Sequence, residues 1–201
     1  MVTASQTLRD ITGMGHNAAS LKDSALILID IQNTYRRGVM QLTNVEPAIL
    51  EAQKLLKMAR ALKVPVIHIQ HDAGAGSPYD VTADIGAIAA EVAPIAGETV
   101  ITKNYPNAFV QTTLDAELKA LGIQNIVLAG FMTHMCVNST AHGGFNLGYA
   151  PTIVASATAS RPLMSANGKV LSAEEVHLGA LAATRDLYAV VVDDIDGLKT
   201  A

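Results

Sequence analysis

The sequence predicts a single-domain α/β fold in which helices cover both faces of a mostly parallel sheet, and three observations indicate it. Short apolar runs alternate with stretches in which apolar residues recur every three or four positions, as strands alternating with amphipathic helices do. The short runs are nearly continuous in apolar residues, which is typical of strands buried on both faces. The 201 residues are 50% hydrophobic and 16% charged, which suits one folded domain rather than a disordered chain.

The first half of the chain supplies three strands and one helix. The run ALILIDI at 25–31 predicts the first strand, and apolar residues at threes and fours predict a helix over 49–62. This helix ends before Pro65, because the residue preceding a proline is disfavoured in the α-helical conformation. The runs VPVIHIQ at 64–70 and ETVITK at 98–103 predict the second and third strands.

The second half of the chain continues the alternation of strands and helices. Two of its helices end at Gly122 and Gly148, because glycine readily adopts the left-handed conformation that closes a helix. Since helices connect the strands, we expect right-handed crossovers and a three-layer αβα architecture around a six-stranded sheet. The expected helices are 114–121, 136–147 and 176–187, and the expected strands are 125–130, 150–156 and 188–194.

Composition excludes several classes of protein. A net charge of −4 without a long basic run disfavours nucleic acid and anionic membranes as partners. No apolar stretch approaches 18 residues, so no transmembrane helix is expected. A single cysteine excludes an internal disulfide and suits a reducing compartment, so we expect a cytoplasmic protein. Residues 1–23 lack the apolar block of a signal peptide and are interpreted as an N-terminal arm, which leaves 24–201 as the domain.

Three reactive side chains follow strands of the predicted sheet. Asp30 ends the first strand, Lys103 ends the third, and Cys136 comes just after the fourth. In open α/β sheets the ligand site lies beyond the carboxyl ends of the strands, so we expect these residues to meet there. Each alone has an ordinary explanation, since Asp30 can cap a turn or pair with a buried arginine, Lys103 can be solvated, and Cys136 can be a small buried hydrophobe.

Together the three side chains form a reactive set. The carboxylate of Asp30 would take the thiol proton, the ammonium of Lys103 would keep that carboxylate ionised, and the thiolate of Cys136 would attack. Cys136 is expected to begin a helix, where the macrodipole and free N–H groups favour a thiolate and an oxyanion.

Four segments of the chain resemble the isochorismatase-like cysteine hydrolases. This family includes nicotinamidases, N-carbamoylsarcosine amidase, and ureidoacrylate- and biuret-type amidohydrolases, and the resemblance spans about residues 24 to 195. It implies a Rossmann-like fold and a triad of Asp30, Lys103 and Cys136. It also implies a cis peptide bond between Phe131 and Met132, which would turn the Met132 N–H toward the Cys136 N–H to build an oxyanion hole. The segments are LILIDIQN at 26–33, HIQHD at 68–72, GETVITKNYPNAF at 97–109 and GFMTHMCVNSTAHGGFNLGY at 130–149.

The chain departs from the family pattern in two places. His142, Gly143 and Gly144 stand where many relatives carry a larger or acidic residue and an alanine. Nicotinamidases hold a metal through an Asp-x-His pair and a later histidine, but this chain has His68 and His71 in that segment without the Asp-x-His pair. We therefore expect no metal and no cofactor. His68 is interpreted as a core histidine, whereas His71 either lines the pocket or is solvated in a loop.

These observations predict a metal-independent cysteine hydrolase of a small molecule's carbon–nitrogen bond, in an amide, carbamoyl or ureido group. The reaction would pass through a thioester. Some relatives cleave a vinyl ether without a nucleophile, and Cys136 argues against that chemistry. The alternative is a catalytically silent family member that acts as a binding or assembly protein.

We also expect a homo-oligomer that pairs through the helix after the nucleophile. The side chains expected to face the substrate are Asn33, Tyr35, His71, Tyr105, Phe109 and His134.

Overall fold

A computed structural model describes residues 3–198 of the chain, and a six-stranded parallel sheet forms the centre of these residues. Every neighbouring pair of strands in it is parallel. A separate antiparallel hairpin consists of β6 and β7. The strands are β1 Ser24–Ile29, β2 Val66–His71, β3 Thr99–Lys103, β4 Asn125–Phe131, β5 Ala150–Ala159, β6 Leu163–Met164, β7 Val170–Leu171 and β8 Val190–Val192.

The strand order of the sheet is β3-β2-β1-β4-β5-β8. The chain therefore builds outward from β1 to one edge and then returns to build outward from β4 to the other. The point between β1 and β4, where the direction changes, is the place at which open α/β sheets leave a crevice beyond the strand ends. The predicted six-stranded α/β fold is confirmed.

Helices cover both faces of the sheet. They are α1 Leu8–Ile11, α2 Val45–Ala61, α3 Leu114–Ala120, α4 Asn138–Asn146 and α5 Ala173–Leu187. Alternate residues of β1 point to opposite faces, as the period of a strand requires. Leu26 and Leu28 pack in the core beneath α2, whereas Ile27 and Ile29 pack in the second core with α3 and α4. The predicted helices at 49–62, 114–121 and 176–187 are present with shifted ends.

Three differences from the predicted elements have local causes. β1 ends at Ile29 rather than at residue 31, because Asp30 takes a positive φ of 50° and leaves the strand conformation. The helix expected at 136–147 instead begins as a π-helical turn over Thr133–Val137, which continues into α4. β8 begins at Val190 rather than at residue 188, because the N–H groups of Tyr188 and Ala189 still donate to the carbonyl of Thr184 at the end of α5.

The N-terminal arm packs against the domain. Thr7 and Asp10 form a capping box at α1, and the N–H of Leu8 donates to Asp186 at 2.9 Å. Arg9 donates to the carbonyl of Leu187 at 2.9 Å, near the end of α5. Residues 1 and 2 of the predicted arm and residues 199–201 of the predicted domain lie outside the described residues.

The glycines of α4 pack inside the chain. A Cβ at Gly143 would lie 2.3 Å from the side chain of Asn107, and one at Gly144 would lie 3.0 Å from Ile126. Their small size thus serves the fit of α4 to its own domain. The homo-oligomer stays a prediction, which light scattering at micromolar concentration tests, and a strict monomer would contradict it.

Within residues 3–198, no helix is long and apolar enough to cross a membrane.

Candidate active site

The fold brings Asp30, Lys103 and Cys136 together at the carboxyl edge of the sheet. The Lys103 Nζ lies 2.6 Å from Asp30 Oδ2 and 3.4 Å from Cys136 Sγ. The three residues are 0%, 1% and 6% exposed. Charged side chains are buried to this degree only when they are paired, and the ammonium lies in contact with both of the other groups. The set expected from the sequence is therefore assembled around Lys103.

The backbone at the ends of β1 and β4 is shaped to bring these groups close. Asp30 adopts a left-handed conformation with φ 50°, which aspartate tolerates better than most residues. Its N–H still donates to the carbonyl of Ile69 at 2.9 Å, so its position is fixed relative to β2. Gly130, in the neighbouring strand, has φ 122°, and a Cβ there would lie 2.0 Å from the carbonyl oxygen of Ile29. Only glycine permits this close approach of the two strand ends.

Gln32, two residues after Asp30, joins the segment after β1 to the end of β2. Its side-chain amide accepts from the N–H of His71 at 3.0 Å and donates to the carbonyl of the same residue at 2.9 Å. A second bond from this amide reaches the carbonyl of Gly86 at 2.7 Å. Gln32 is fully buried, so the clamp holds the end of β2 against the segment after β1. Sequence reasoning missed this role, because a glutamine three residues after a strand carries no distinctive pattern.

His71 is the third partner of the Lys103 ammonium. Its Nδ1 lies 3.1 Å from Lys103 Nζ, beside Asp30 and Cys136. Burial, with the charge of Lys103 adding to it, lowers the pKa of His71 to about 4, so the ring is neutral near pH 7. Since the ammonium can only donate, Nδ1 accepts and the ring proton is on Nε2. The structure thus places His71 beside the triad rather than in a solvated loop.

In the resting site the thiol of Cys136 keeps its proton and does not transfer it to Asp30. Burial, and then the negative charge of Asp30, raise the pKa of Cys136 to about 12, although Lys103 opposes the shift. Burial also raises the pKa of Asp30, and the charge of Lys103 opposes that rise. Cys136 does lie in the first turn of a helix, since the π-helical turn continues into α4, but burial and the carboxylate of Asp30 outweigh what the helix start contributes toward a thiolate.

The chain just before Cys136 contains the unusual peptide bond expected from the family resemblance. The bond between Phe131 and Met132 is cis, at the end of β4. The π-helical turn then begins at Thr133 and carries Cys136. The hydroxyl of Thr133 lies 2.9 Å from the Nδ1 of His177, which ties the turn to α5.

Two of the other side chains expected to face the substrate lie near the triad. The ring of Tyr35 is 1% exposed and packs edge-on against Phe131 at 5.5 Å between ring centres. Burial raises its pKa well above the usual value, and the negative charges of Asp30 and Cys136 add to the shift. His134 lies in the π-helical turn itself and is half-buried, with its Nδ1 3.1 Å from the hydroxyl of Ser160.

The remaining candidates differ in their surroundings. Asn33 is partly exposed and donates to the carbonyl of Asp84 at 2.9 Å. Tyr105 is 45% exposed in the loop after β3. Phe109 stacks on Tyr149 at 5.5 Å between ring centres, just before β5 begins. Phe109 therefore lies toward the amino ends of the strands, and the structure does not bring it to the triad.

The histidine expected in the core is confirmed. His68 is 1% exposed, and its Nε2 lies 2.9 Å from Glu98 Oε2. Arg60 binds the same carboxylate through two nitrogens, at 2.7 and 2.9 Å. Across residues 3–198, no group of three or more histidine, cysteine, aspartate or glutamate side chains is placed to hold a metal ion.

Sequence reasoning missed one aromatic residue, Tyr79, and one basic residue, Arg161. Tyr79 packs edge-on against His71 at 4.8 Å and against Tyr35 at 5.8 Å between ring centres. Arg161 follows β5, next to the Ser160 that contacts His134. Both lie in irregular segments, where no periodic pattern relates a residue to the sheet edge.

Comparison with known proteins agrees with this geometry. The model of the isochorismatase domain matches residues 24–194. The chain belongs to the isochorismatase family. A secreted isochorismatase effector of Verticillium dahliae is 31% identical over 94% of this chain and 98% of its own length. A crystal structure of an isochorismatase from Pseudomonas putida is 33% identical, covers 94% of this chain and 97% of its own, and superposes with a TM-score of 0.91.

A ureidoacrylate amidohydrolase is also among the relatives. The enzyme RutB of Stutzerimonas stutzeri is 30% identical over 70% of this chain and 71% of its own length. The chain is therefore a hydrolase of the isochorismatase family, some of whose members are amidohydrolases.

Proposed function

We propose that this family member is a cysteine hydrolase that cleaves a carbon–nitrogen bond of a small molecule in an amide, carbamoyl or ureido group. The observation that supports this most is the contact of one buried ammonium, that of Lys103, with both Asp30 and Cys136. A carboxylate beside a thiol supplies a base and a nucleophile, and the resemblance to an amidohydrolase of ureidoacrylate agrees with this class of substrate.

The first half of the reaction forms a thioester. As the thiol sulfur of Cys136 attacks the carbonyl carbon, Asp30 takes its proton, and the carbonyl π electrons move to oxygen. The N–H groups of Met132 and Cys136 would stabilise this oxyanion. When the tetrahedral intermediate collapses, the carbon–nitrogen bond breaks and the leaving nitrogen takes the proton from Asp30.

The second half regenerates the enzyme. Asp30, again ionised, removes a proton from a water molecule as the water oxygen attacks the thioester. Collapse of the second tetrahedral intermediate breaks the carbon–sulfur bond, and the sulfur regains its proton from Asp30. Throughout, the positive charge of Lys103 keeps Asp30 in the ionised form when the proton is elsewhere, and it stabilises negative charge that develops on sulfur.

The raised thiol pKa fits a base-assisted attack. Because burial and the charge of Asp30 raise the pKa of Cys136, the thiol needs a base to take its proton before or during the attack, and Asp30 is the carboxylate beside it. A hydroxyl in place of the thiol would be a far weaker acid, so Cys136→Ser would lose turnover although its size is similar. The difference in turnover between the wild type and Cys136→Ser therefore depends on the base, Asp30, as well as on the nucleophile.

The experiment is a screen of amides, ureides and carbamoyl compounds for released ammonia or amine. We expect turnover with at least one of these classes, and loss of that turnover in Cys136→Ala and Cys136→Ser, each normalised to folded protein by circular dichroism. Turnover that survives in Cys136→Ala would contradict a thioester route. The silent-member alternative predicts binding without turnover for every compound in the screen.

Cytoplasmic location is likewise a proposal, and the single cysteine supports it. The relative from Verticillium dahliae is described as secreted, so location is not a fixed property of this family. Fractionation of cells that express the natural gene tests it, and recovery of the protein from the culture medium would contradict it.

A further inference from the structure

The proposed catalytic groups are closed off from solvent. The side chains of Asp30 and Lys103 are wholly buried, and Cys136 is 6% exposed. In the proposed reaction, however, both a substrate carbonyl and a water molecule must reach the sulfur of Cys136. Some part of the chain that covers these groups therefore has to move before a substrate can enter.

The ring of Tyr79 covers one side of the catalytic groups. It packs edge-on against His71 at 4.8 Å and against Tyr35 at 5.8 Å between ring centres. His71 in turn lies 3.1 Å from the ammonium of Lys103. Tyr79 is partly exposed, whereas Tyr35 is buried, so the ring of Tyr79 lies between these residues and solvent. It belongs to the long connection between β2 and β3, outside any helix or strand.

This connection is fixed at both ends of a loop. At one end, the N–H of Asp72 donates to the carbonyl of Lys103 at 3.0 Å. At the other end, the carbonyl of Gly86 accepts from the side chains of Gln32 and Gln70, at 2.7 and 2.9 Å. The ends of the loop are therefore tied to the sheet and to the segment after β1.

Between these ends, the loop is bonded to itself. In the described part of the chain, the backbone of residues 73–83 forms hydrogen bonds only with residues of the loop 72–86. The buried carboxylate of Asp80 accepts from the N–H groups of Gly76 and Thr82, at 2.8 and 2.9 Å. A loop that keeps its own bonds but has few to its surroundings can move as a unit at small cost.

The outer contact of the loop is made by Asp84. Its side chain pairs with Arg37, and its carbonyl accepts from the side chain of Asn33 at 2.9 Å. The side chains of Arg37 and Asp84 are 57% and 73% exposed, and an exposed ion pair is weak. A cavity of about 280 Å³ lies between residues 76–78 and residues 37–39, so the two facing segments are not closely packed.

The segment that faces the loop is held more firmly. Arg36 donates to Glu46 at 2.8 and 2.6 Å and to Glu91 at 3.1 and 2.8 Å. Glu46 belongs to α2, and Glu91 to a turn before β3. The N–H of Leu42 also donates to the carbonyl of Tyr35 at 2.9 Å. The loop, rather than the segment that carries Tyr35, is therefore the part expected to move.

We propose that the loop 72–86 is a lid that opens to admit substrate, with Tyr79 as the side chain that closes the site and the pair of Arg37 and Asp84 as its latch. The protein then exists in a closed and an open form, and only the open form exposes Cys136. The consequence for substrate entry rests on the proposed hydrolase function. The exposure of the thiol does not, and it can be measured without any substrate.

The test is the rate at which iodoacetamide alkylates Cys136, the only cysteine of the chain, followed by mass spectrometry. This rate is proportional to the open fraction of the protein when opening and closing are fast. Arg37→Gln and Asp84→Asn each break the latch, so each should raise the rate by about 2- to 5-fold. The two substitutions change the net charge in opposite directions, so a direct effect on the thiol would move the two rates in opposite directions. The double variant should react no faster than the faster single variant, because both substitutions remove the same contact.

Lys54→Gln is the matched control for the latch, because it removes the exposed ion pair with Glu51 on α2, away from the loop. It should keep the wild-type rate. Tyr79→Phe keeps the ring and should stay within about 2-fold of the wild type, whereas Tyr79→Ala should react about 10-fold faster, because it loses both aromatic contacts. Equal rates for these two variants would overturn the role given to Tyr79.

Unchanged alkylation rates in both latch variants, or rates that move in opposite directions, would overturn the lid when circular dichroism shows that folding is intact. If a compound in the ammonia screen is hydrolysed at the same time, the hydrolase function stands without the lid. Raised alkylation rates in both latch variants, without hydrolysis of any amide, ureide or carbamoyl compound, would support the lid and remove the hydrolase function.

Discussion

Replacing Lys103 with methionine tests the buried ion pair through its effect on stability. The Nζ of Lys103 lies 2.6 Å from Asp30 Oδ2, and both side chains are wholly buried. At an effective dielectric constant of about 20, two unit charges at this distance attract by about 6 kcal/mol. Part of that attraction offsets the cost of burying the charges, and removal of one partner from a buried pair is measured at about 3–5 kcal/mol.

We therefore expect Lys103→Met to lower the free energy of unfolding by about 3–5 kcal/mol at neutral pH, which is a large share of the roughly 5–15 kcal/mol of an ordinary domain. Urea denaturation followed by circular dichroism measures the change. The deficit should shrink as the pH falls. Without Lys103, the pKa of buried Asp30 rises further, so the penalty is full above that folded pKa and is absent below the unfolded value of about 4.

The matched control is the double variant Asp30→Asn with Lys103→Met, which removes both charges and keeps the approximate shapes. It should be more stable than Lys103→Met alone at neutral pH, because the uncompensated carboxylate is gone, although it should be as inactive. A loss below about 1 kcal/mol in Lys103→Met, or a double variant no more stable than the single one, would refute the account of a paired buried carboxylate.

Three further outcomes follow from contacts around the site. Hydrogen bonds from Arg60 and other groups lower the pKa of Glu98 to about 2, so the stabilisation that ionised Glu98 gives the fold is full above pH about 4.5 and is lost as the pH falls toward 2. Glu98→Gln should remove about 2 kcal/mol of this pH-dependent stability in acid denaturation, whereas Glu46→Gln, at an exposed site, should remove less. Equal changes in the two variants would contradict this. His71→Leu should lower kcat by about 10- to 100-fold, because the variant loses the hydrogen-bond acceptor for Lys103. His71→Asn should lower kcat less, because the amide oxygen can replace Nδ1 as the acceptor. Equal kcat values for the two variants would exclude a hydrogen-bonding role for His71. Prolonged treatment with EDTA should leave turnover unchanged, because His71 Nδ1 is already engaged by an ammonium; loss of activity that zinc restores would contradict this.

The gathering of the triad could be predicted because it depends on regular features of the chain. Continuous apolar runs identified the buried strands, and parallel strands place their carboxyl ends at one edge, so Asp30 and Lys103 were expected at the same edge. The strand order, which leaves only β2 between them, was known only from the structure. The distances and the degree of burial could not be predicted, because they depend on how closely β1 and β4 approach at Gly130.

The protonation state of Cys136 was beyond sequence reasoning for a physical reason. A helix start favours a thiolate, but burial and a neighbouring carboxylate oppose it, and the balance is set by contacts that only the folded chain shows. In the same way, Phe109 follows the lysine in the motif yet packs against Tyr149 near the opposite end of the strands. Tyr79 and Arg161 were missed because both lie in irregular segments.

Mass spectrometry of the wild-type enzyme, quenched with acid during turnover of whichever compound the ammonia screen identifies, tests the central claim most directly. The account predicts an added mass equal to the acyl part of the substrate on the peptide that contains Cys136, present during turnover and absent once the substrate is consumed. The same peptide from Asp30→Asn should carry far less of this adduct, because the base that assists the attack is gone. Rapid turnover without any adduct on that peptide, together with a Cys136→Ser enzyme that runs near the wild-type rate, would contradict the thioester mechanism.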